Sequence, residues 1–429
     1  MKDQHAQERE TRKAKKVVMT HTERAWVGYD IGNSAFTLMV STIFPIYFNA
    51  LAEAGGLSPS LALAYFGYSA SITTLVVAIL GPILGAMADV RGQKKKLFGL
   101  VSGFGIVMML ALLLPLSWFQ FLVFFIFSRI GYQASLVLYD AMLTDVTSEE
   151  RMNQISSMGY AMGYIGSTLP FILSLMILLL GDRLGLSLHA RMNGAILINA
   201  AWWLFFTVRL YRSFEQRYYT RTQMDAVSHI FRRLGQTILD IRHYRRAFVF
   251  LLAFFFYIDG VYTMISMAVA YGKSIGLDST QLLLALLVTQ LVAFPFAIFF
   301  GRLADRYRTG RLISLCIFAY TLITLFAVQL DQVWEFWFLA ICVGIFQGGI
   351  QALSRAYFAK IIPPEKSGEY FGIYDIFGKG ASLTGTTLIA VISQLTGHQS
   401  LGILALVVLF LIGFFLFLRA DRMKNTPAD

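Results

Sequence analysis

The chain has 429 residues, of which 57% are hydrophobic and only 14% are charged. Because a soluble globular protein carries about 25% charged residues, this composition excludes a soluble protein, and it also excludes disorder, collagen repeats and coiled coil. A polytopic α-helical membrane protein remains. The net charge is +11, and its distribution along the chain points to membrane topology and anionic lipid, not to a nucleic-acid partner.

Twelve apolar stretches are each long enough to cross a bilayer as a helix, which takes about 20 residues. The predicted spans lie at 26–50, 62–88, 97–116, 118–140, 155–180, 193–211, 247–270, 281–300, 312–330, 333–358, 370–395 and 400–418. They are too long and too uniformly apolar for the alternating strands of a barrel. We therefore predict an all-α integral membrane protein with twelve transmembrane helices.

The basic residues fall almost entirely on one side of the predicted membrane. Of the 36 Lys and Arg, 31 lie in the tails, the central connection and the loops after even-numbered spans, and three lie in the opposite loops. This count assigns Arg355 to the loop after span ten, whereas Arg129 and Lys379 fall inside spans. By the positive-inside rule we expect both termini in the cytoplasm and a multi-pass protein of the cytoplasmic membrane.

The spans divide the chain into two groups of six around one polar connection. We predict a cytoplasmic tail at 1–25, a six-helix bundle at 26–211, a connection at 212–246, a second six-helix bundle at 247–418 and a tail at 419–429. Within the connection, Val227, Ile230, Phe231 and Leu234 recur at helical spacing among arginines. This pattern predicts an amphipathic helix on the membrane surface, and partner docking is the alternative.

The two groups of six contain matching residues. The loops after spans two and eight both carry a Gly, an Asp four residues later and a basic cluster, and spans one and seven both carry an Asp followed by a polar residue one turn on. The matching pairs are Gly85 and Gly301, Asp89 and Asp305, Asp30 and Asp259, and Asn33 and Tyr262. Parallel repeats of this kind are typical of transporters that bind substrate between the repeats.

Further motifs carry a family resemblance. They are Tyr-Asp-x-x-Asn-Ser-Ala-Phe at 29–36, Ile-Arg-x-Tyr-Arg at 241–245, and the stretch SRAYFAKIIPPEKSGEYFGIYDIFGKGAS at 354–382. With the repeated loops, they make the chain resemble the major facilitator superfamily. Within it the chain resembles the "unknown major facilitator" group, which is similar to the autophagy-linked vacuolar amino-acid effluxers of fungi. The resemblance implies a compact bacterial transporter that exports amino acids.

The same resemblance gives the two repeated loops a mechanical role as a cytoplasmic gate. Asp89 and Asp305 are expected to cap the N-terminus of a nearby helix, where the helix dipole favours an anion. Arg91 and Arg306 are expected to pair across the cytoplasmic mouth. The alternative is that these basic loops only fix topology. The complete set of gate residues is Gly85, Asp89, Arg91, Gly301, Asp305 and Arg306.

Charged residues inside spans are costly and normally face protein or water. Counting residues from the span ends puts Asp259, Lys379 and Arg129 near the membrane middle, and Asp30 and Asp375 in the cytoplasmic third. Asp259 is the strongest candidate for exchanging a proton or holding an ammonium group. A structural pair with Lys379 or Arg129 is the alternative.

The other membrane charges also have two interpretations. Asp375 and Lys379 are four residues apart, so they can form an intrahelical pair or a pair that substrate breaks. Arg129 can hold a substrate carboxylate or satisfy a structural neighbour. Asp30 can be a coupling or substrate carboxylate or part of the cytoplasmic gate, and the alternative is an interfacial residue whose carboxylate lies in headgroup water. The predicted cavity residues are Asp30, Asn33, Arg129, Gln133, Asp259, Tyr262, Gln347, Gln351, Asp375 and Lys379.

These observations favour a secondary active transporter of a small polar solute, with amino acids and proton coupling suggested. It would work by rocker-switch alternating access as a monomer in contact with lipid. No catalytic or phosphate-binding motif stands in a plausible context, so we expect no enzyme activity, no cofactor and no metal. A sensor or scaffold that has kept a transporter fold is the alternative.

Overall fold

The computed structural model describes residues 19–220, 244–274, 279–330, 332–396 and 399–423. In these ranges the long elements are twelve helices. The first six are α1 His21–Ala54, α2 Pro59–Ala88, α3 Gln93–Ala111, α4 Trp118–Ala141, α5 Glu149–Arg183 and α6 Leu188–Ser213. The last six are α7 Arg245–Ser274, α8 Ser279–Leu303, α9 Thr309–Ala327, α10 Val333–Ile361, α11 Ser367–Thr396 and α12 Gln399–Arg422.

Two of the helices are irregular. In α1, a π-helical turn at Met39–Ile43 separates His21–Leu38 from Phe44–Ala54. In α5, Met152–Gly166 and Thr168–Arg183 meet at Ser167. A short helix at Leu143–Val146 links α4 to α5. Such interruptions of the hydrogen-bond ladder often lie near functional sites.

Among the described residues, eleven helices are long and apolar enough to cross a membrane. The twelfth long helix is α3, which carries Lys94, Lys95 and Lys96 in its first turn. The predicted span 97–116 had the wrong limits for α3. The helix begins at Gln93, after Gly92 turns the chain with φ 73°, and it ends at Ala111, before Pro115.

Side-chain caps start several of the helices. Thr20 and Glu23 form a reciprocal capping box on α1, and the hydroxyls of Ser58, Ser117 and Ser187 accept backbone N–H groups at the starts of α2, α4 and α6. Contacts between helix ends show that the odd-numbered helices begin and the even-numbered helices end on one common face. We call this the terminal face.

Contacts between the two groups of six involve a few helices. Helix α2 packs along α11, and α5 packs against α8 and α10. Within the groups, α1 packs on α5 and α6, and α7 packs on α11 and α12. The α2–α11 and α8–α5 contacts are counterparts under the sequence repeat. The domain limits 26–211 and 247–418 stay a prediction.

Large apolar side chains cover the outside of the bundle, for example Leu63, Leu75 and Phe415. In water this surface would be unfavourable, whereas it suits a lipid environment. The polar and charged side chains that are buried lie instead between helices, and their arrangement defines the candidate site.

Candidate transport site and gate

Asp259 on α7 is fully buried and is held by neutral donors. Its Oδ1 accepts the backbone N–H of Gly385 at 2.9 Å and the hydroxyl of Thr263 at 3.2 Å. Its Oδ2 is buried without a hydrogen-bond partner among the described residues. Among the described residues, neither Lys379 nor Arg129 forms an ion pair with Asp259. The alternative of a structural ion pair with either cation is therefore wrong for this state.

Asp375 and Lys379 pair within α11. Lys379 Nζ donates to Asp375 Oδ2 at 2.6 Å, and both side chains are mostly buried. Asp375 Oδ2 also lies beside Gly81 of α2, about where the two groups of six helices meet. The intrahelical pair therefore sits on a surface that changes if the two groups move apart.

Arg129 lies apart from these groups. Its guanidinium stands 5.5 Å from the ring centre of Phe125, and among the described residues no carboxylate pairs with it. The structure thus shows no joint clamp of Arg129 and Asp259 around a zwitterion in this state.

Some of the uncharged candidate side chains have hydrogen-bond partners and others do not. Gln351 Oε1 accepts from Tyr164 Oη at 3.3 Å across the two groups. Gln133 Oε1 and Gln347 Oε1 are buried without a hydrogen-bond partner in the described ranges. Tyr262 is half-buried against the apolar core. Buried amide oxygens without partners are uncommon, and they can accept a hydrogen bond from water or solute.

A buried charged cluster surrounds Arg355, which the residue count along the sequence assigned to the loop after span ten. Arg355 lies inside α10 and is 2% exposed. Its Nη1 donates to Asp140 at 2.9 Å, and its Nη2 lies 3.5 Å from Asp30 Oδ2. Its Nε donates to Ser156 Oγ at 2.9 Å. A cation of the second group of helices is thereby held by α1, α4 and α5 of the first.

Aromatic rings complete the surroundings of this guanidinium. Its carbon lies 4.7 Å from the ring centre of Trp26, 5.4 Å from that of Tyr139 and 4.4 Å from that of Tyr160. Rings at such distances attract a cation through their negative faces. We call Trp26, Asp30, Tyr139, Asp140, Ser156 and Tyr160 the cation cage.

Asp89 joins the two groups of helices at the terminal face. Its carboxylate accepts the backbone N–H of Gly368 at 2.7 Å and of Glu369 at 2.9 Å, at the start of α11. Gly85 and Gly368 are in backbone contact there, because a Cβ on Gly85 would come within 2.1 Å of the Gly368 carbonyl oxygen. The helix dipole of α11 further favours the anion.

The surroundings of Asp89 oppose its ionisation. Burial raises the pKa of Asp89 to about 7, although nearby Lys94 and the two N–H groups lower it in part. Lys94 Nζ lies 4.0 Å from Asp89 and donates at 2.8 Å to both Asp145 and Ser367. Lys94, although its neighbours in sequence suggest a solvated loop, is a buried part of this contact.

The start of the central connection binds to Asp145 and to the loop that carries Asp89. Asp145 Oδ1 accepts the N–H groups of Arg217 and Tyr218 at 2.8 Å each, and Thr220 N–H donates to the Asp89 carbonyl at 2.8 Å. Residues 214–220 are thus extended chain on the loop between α2 and α3. The predicted amphipathic helix around Val227 lies outside the described residues.

The second repeated loop makes different contacts. Asp305 accepts from the side chain of Gln154 at 2.5 Å, and no backbone N–H group of the described residues caps against it. Gly301 packs on Ser157 of α5. Arg91 stacks on Tyr219, and Arg306 is exposed. Pairing of these two arginines across the mouth is not seen in this state, because Arg91 turns toward the connection.

Sequence reasoning missed Arg355 and Asp140 for one reason: both stand near predicted span ends, where charge is ordinary. The Ser-Arg pair that opens the stretch at 354–382 was the available signal. A basic residue followed by the apolar Ala356, Tyr357 and Phe358 is more consistent with a helix interior than with a loop.

The sequence matches the family described as vacuole effluxer Atg22-like over residues 20–428. The chain belongs to this family. Over 96% of its length it is 44% identical to the uncharacterized MFS-type transporter YxiO of Bacillus subtilis strain 168, of which it covers 97%. This Atg22-like transporter is also 25% identical, over 62% of its length, to autophagy-related protein 22-1 of Aspergillus niger, but it covers only 47% of that protein.

Solved structures agree on the fold. The MFS transporter FucP, in its outward conformation, aligns with a TM-score of 0.73 at 13% identity, covering 93% of this chain and 98% of that one. The Atg22-like transporter therefore has the major facilitator fold. Its family consists of transporters, not enzymes, and it is a multi-pass membrane protein.

Proposed function

We propose that this Atg22-like protein is a secondary active transporter of small polar solutes, with amino acids as the favoured class, that works by alternating access. The observation that carries the proposal is the set of polar contacts joining the two groups of helices at the terminal face. Between described residues these include Asp89 with the start of α11, and Arg355 with Asp30 and Asp140. All involve the terminal-face halves of their helices, so the two groups can separate there without losing their own cores.

The groups near this interface support an amino acid as the solute. An amino acid carries an ammonium and a carboxylate. The interface holds carboxylates and the Asp375–Lys379 pair, and the amide oxygens of Gln133 and Gln347 are buried. Opposite charges and amides are the partners such a solute needs. The family description, an effluxer, supports export as the direction.

We further propose that Asp259 takes up the coupling proton. It is fully buried, no cation pairs with it among the described residues, and its Oδ2 has no hydrogen-bond partner there. An unpaired anion in a membrane interior is expensive, and protonation removes the charge. The terminal face would be cytoplasmic, in a bacterial inner membrane, as the Lys and Arg distribution predicts.

The test is uptake of a labelled amino-acid mixture into proteoliposomes under an imposed pH gradient. The native protein is compared with Asp259→Asn and with the control Asp182→Asn, an equal chemical change at an exposed carboxylate. We expect gradient-driven uptake in the native and control proteins. In Asp259→Asn we expect gradient dependence to fall at least about tenfold, the effect of roughly 1.4 kcal/mol.

Other outcomes separate the parts of the proposal. Gradient dependence that persists in Asp259→Asn would remove Asp259 from coupling. Absence of uptake of every amino acid by folded protein in either orientation would overturn the amino-acid assignment. If sugars, organic acids and lipids also failed to move, the sensor alternative would replace the transporter.

A further inference from the structure

The cation cage belongs entirely to the first group of helices, whereas the cation in it belongs to the second. Trp26 and Asp30 come from α1, Tyr139 and Asp140 from α4, and Ser156 and Tyr160 from α5. Arg355 enters from α10 and is the only cation paired with Asp30 or Asp140 among the described residues. Separation of the two groups would thus withdraw the cation and leave the cage.

The cage is held together by its own contacts. Trp26 Nε1 donates to the Tyr139 carbonyl at 2.9 Å, and the two rings stack with centres 4.5 Å apart. Tyr139 Oη donates to Asp30 Oδ2 at 2.7 Å, and Asn33 donates to Asp30 Oδ1 at 3.3 Å. None of these bonds involves Arg355. The arrangement therefore does not need the guanidinium to form.

The empty cage would hold two carboxylates without a cation. Leaving buried charges unpaired is costly, whereas a second cation would restore the pairing. Aromatic rings around carboxylates are the chemistry by which proteins recognise ammonium and guanidinium groups. The space is also fitted to such a group: a Cβ on Gly159 would lie 2.6 Å from Asp30 Oδ2 and 3.1 Å from Arg355 Nη2.

We propose that the cation cage is the binding site for the ammonium or guanidinium group of the solute when the terminal face is open. Arg355 occupies the site as a tethered substitute when that face closes. The inference rests on the proposed transport function, of which it names the cationic recognition site. Closing the face then displaces the solute cation from the cage, because solute and Arg355 compete for the same carboxylates.

The test measures binding of methylguanidinium and methylammonium to the purified full-length protein in lipid nanodiscs by titration calorimetry. In the native protein Arg355 competes, so the apparent affinity is reduced by the fraction of molecules with an empty cage. We expect Arg355→Ala to bind either cation at least about tenfold more tightly than native. The matched control Arg308→Ala, an exposed arginine of the same face, should bind as the native protein does.

Two further variants test whether the gain in cation affinity depends on the cage. Adding Asp140→Asn to Arg355→Ala should abolish the increase, because one carboxylate is removed. Adding Gly159→Ala should also abolish it without changing any charge, because its methyl group fills the cage. If Arg355→Ala does not fold, Arg355→Gln keeps a donor for Ser156 while removing the charge.

Conformation is followed by the distance between spin labels at Lys96→Cys and Tyr307→Cys, in a background with Cys316 and Cys342 replaced by Ser. Arg355→Ala should shift the population toward the longer distance by about 100-fold. In the native protein methylguanidinium should shift it in the same direction, because the cation binds the cage only when the terminal face is open. If a folded Arg355→Ala protein shows the longer distance but binds the two cations no more tightly than native, the cation cage is not a binding site. Since binding needs no transport, cage binding without uptake would overturn only the proposed function.

Discussion

At the scale of single residues, Asp89 combines two opposing effects. Two N–H groups at the start of α11 favour its ionised form, yet burial outweighs them and raises its pKa to about 7. When the terminal face opens, the carboxyl group meets water and its pKa falls back toward the ordinary value near 4. The closed state therefore binds this proton more tightly than the open state.

Linkage fixes the sign of the resulting pH dependence. The state with the raised pKa is favoured fully below about pH 4, and the advantage is lost as pH rises to about 7. We expect the label pair at Lys96→Cys and Tyr307→Cys to report a growing open fraction between these values and a plateau above them. Asp89→Asn should flatten the profile. A native open fraction that falls as pH rises would contradict this assignment.

A sequence is one-dimensional, so it gives the depth of a residue in the membrane but not its partners in space. Depth could be counted for Asp259, but not its actual partner, a backbone N–H of Gly385 distant by 126 positions. Likewise, capping by Asp89 could be expected from the helix dipole. Among the described residues Asp305 caps no helix, and this depends on how α8 meets α5.

At the scale of helices, the α2–α11 contact depends on an absence of side chains. Gly85 faces Gly368, and Gly372 faces Pro82, with backbone atoms of the two helices in direct contact. Methyl groups there must force the helices apart. The contact joins the first and second groups of helices, so helix spacing at this point controls how far the terminal face can close.

Gly85→Ala should therefore favour the open terminal face. Overpacking costs about 1–3 kcal/mol, which corresponds to roughly a 5- to 150-fold shift in population. Gly103→Ala on α3 is the matched control, since its Cβ would meet nothing within 4 Å. Reaction of a cysteine at Asn153 with an impermeant maleimide measures the shift. Equal reactivity of the two alanine variants would show that the α2–α11 contact does not limit closure.

At the scale of the whole molecule, the twelve-helix architecture could be predicted from apolar length, and the family from short motifs. The sequence repeat also identified the two loops that contact the opposite group of helices. It could not predict that these two loops make different contacts. Asp89 is buried on a helix start, whereas Asp305 is exposed and accepts a hydrogen bond from the side chain of Gln154. Packing between the groups, not the motif, decides this difference.

A reversible cross-link tests motion of the two groups. Asn153 of α5 donates to Thr309 of α9 at 2.8 Å across the terminal face. With Cys316 and Cys342 replaced by Ser, Asn153→Cys combined with Thr309→Cys should be joined by a short methanethiosulfonate reagent. Uptake should then stop and return with reductant. Either single cysteine is the control, and full uptake by cross-linked protein would contradict rocking at this face.

The attachment of residues 214–220 changes where the two groups of helices are mechanically connected. The chain does not leave the first group at Ser213, where α6 ends, but at Thr220, whose N–H is held by the carbonyl of Asp89. Tension on the chain beyond Thr220 therefore pulls on the residue whose side chain closes the contact with α11. A partner that bound the chain after Thr220 and drew it away from the protein would therefore weaken the contact between Asp89 and α11 from the aqueous phase.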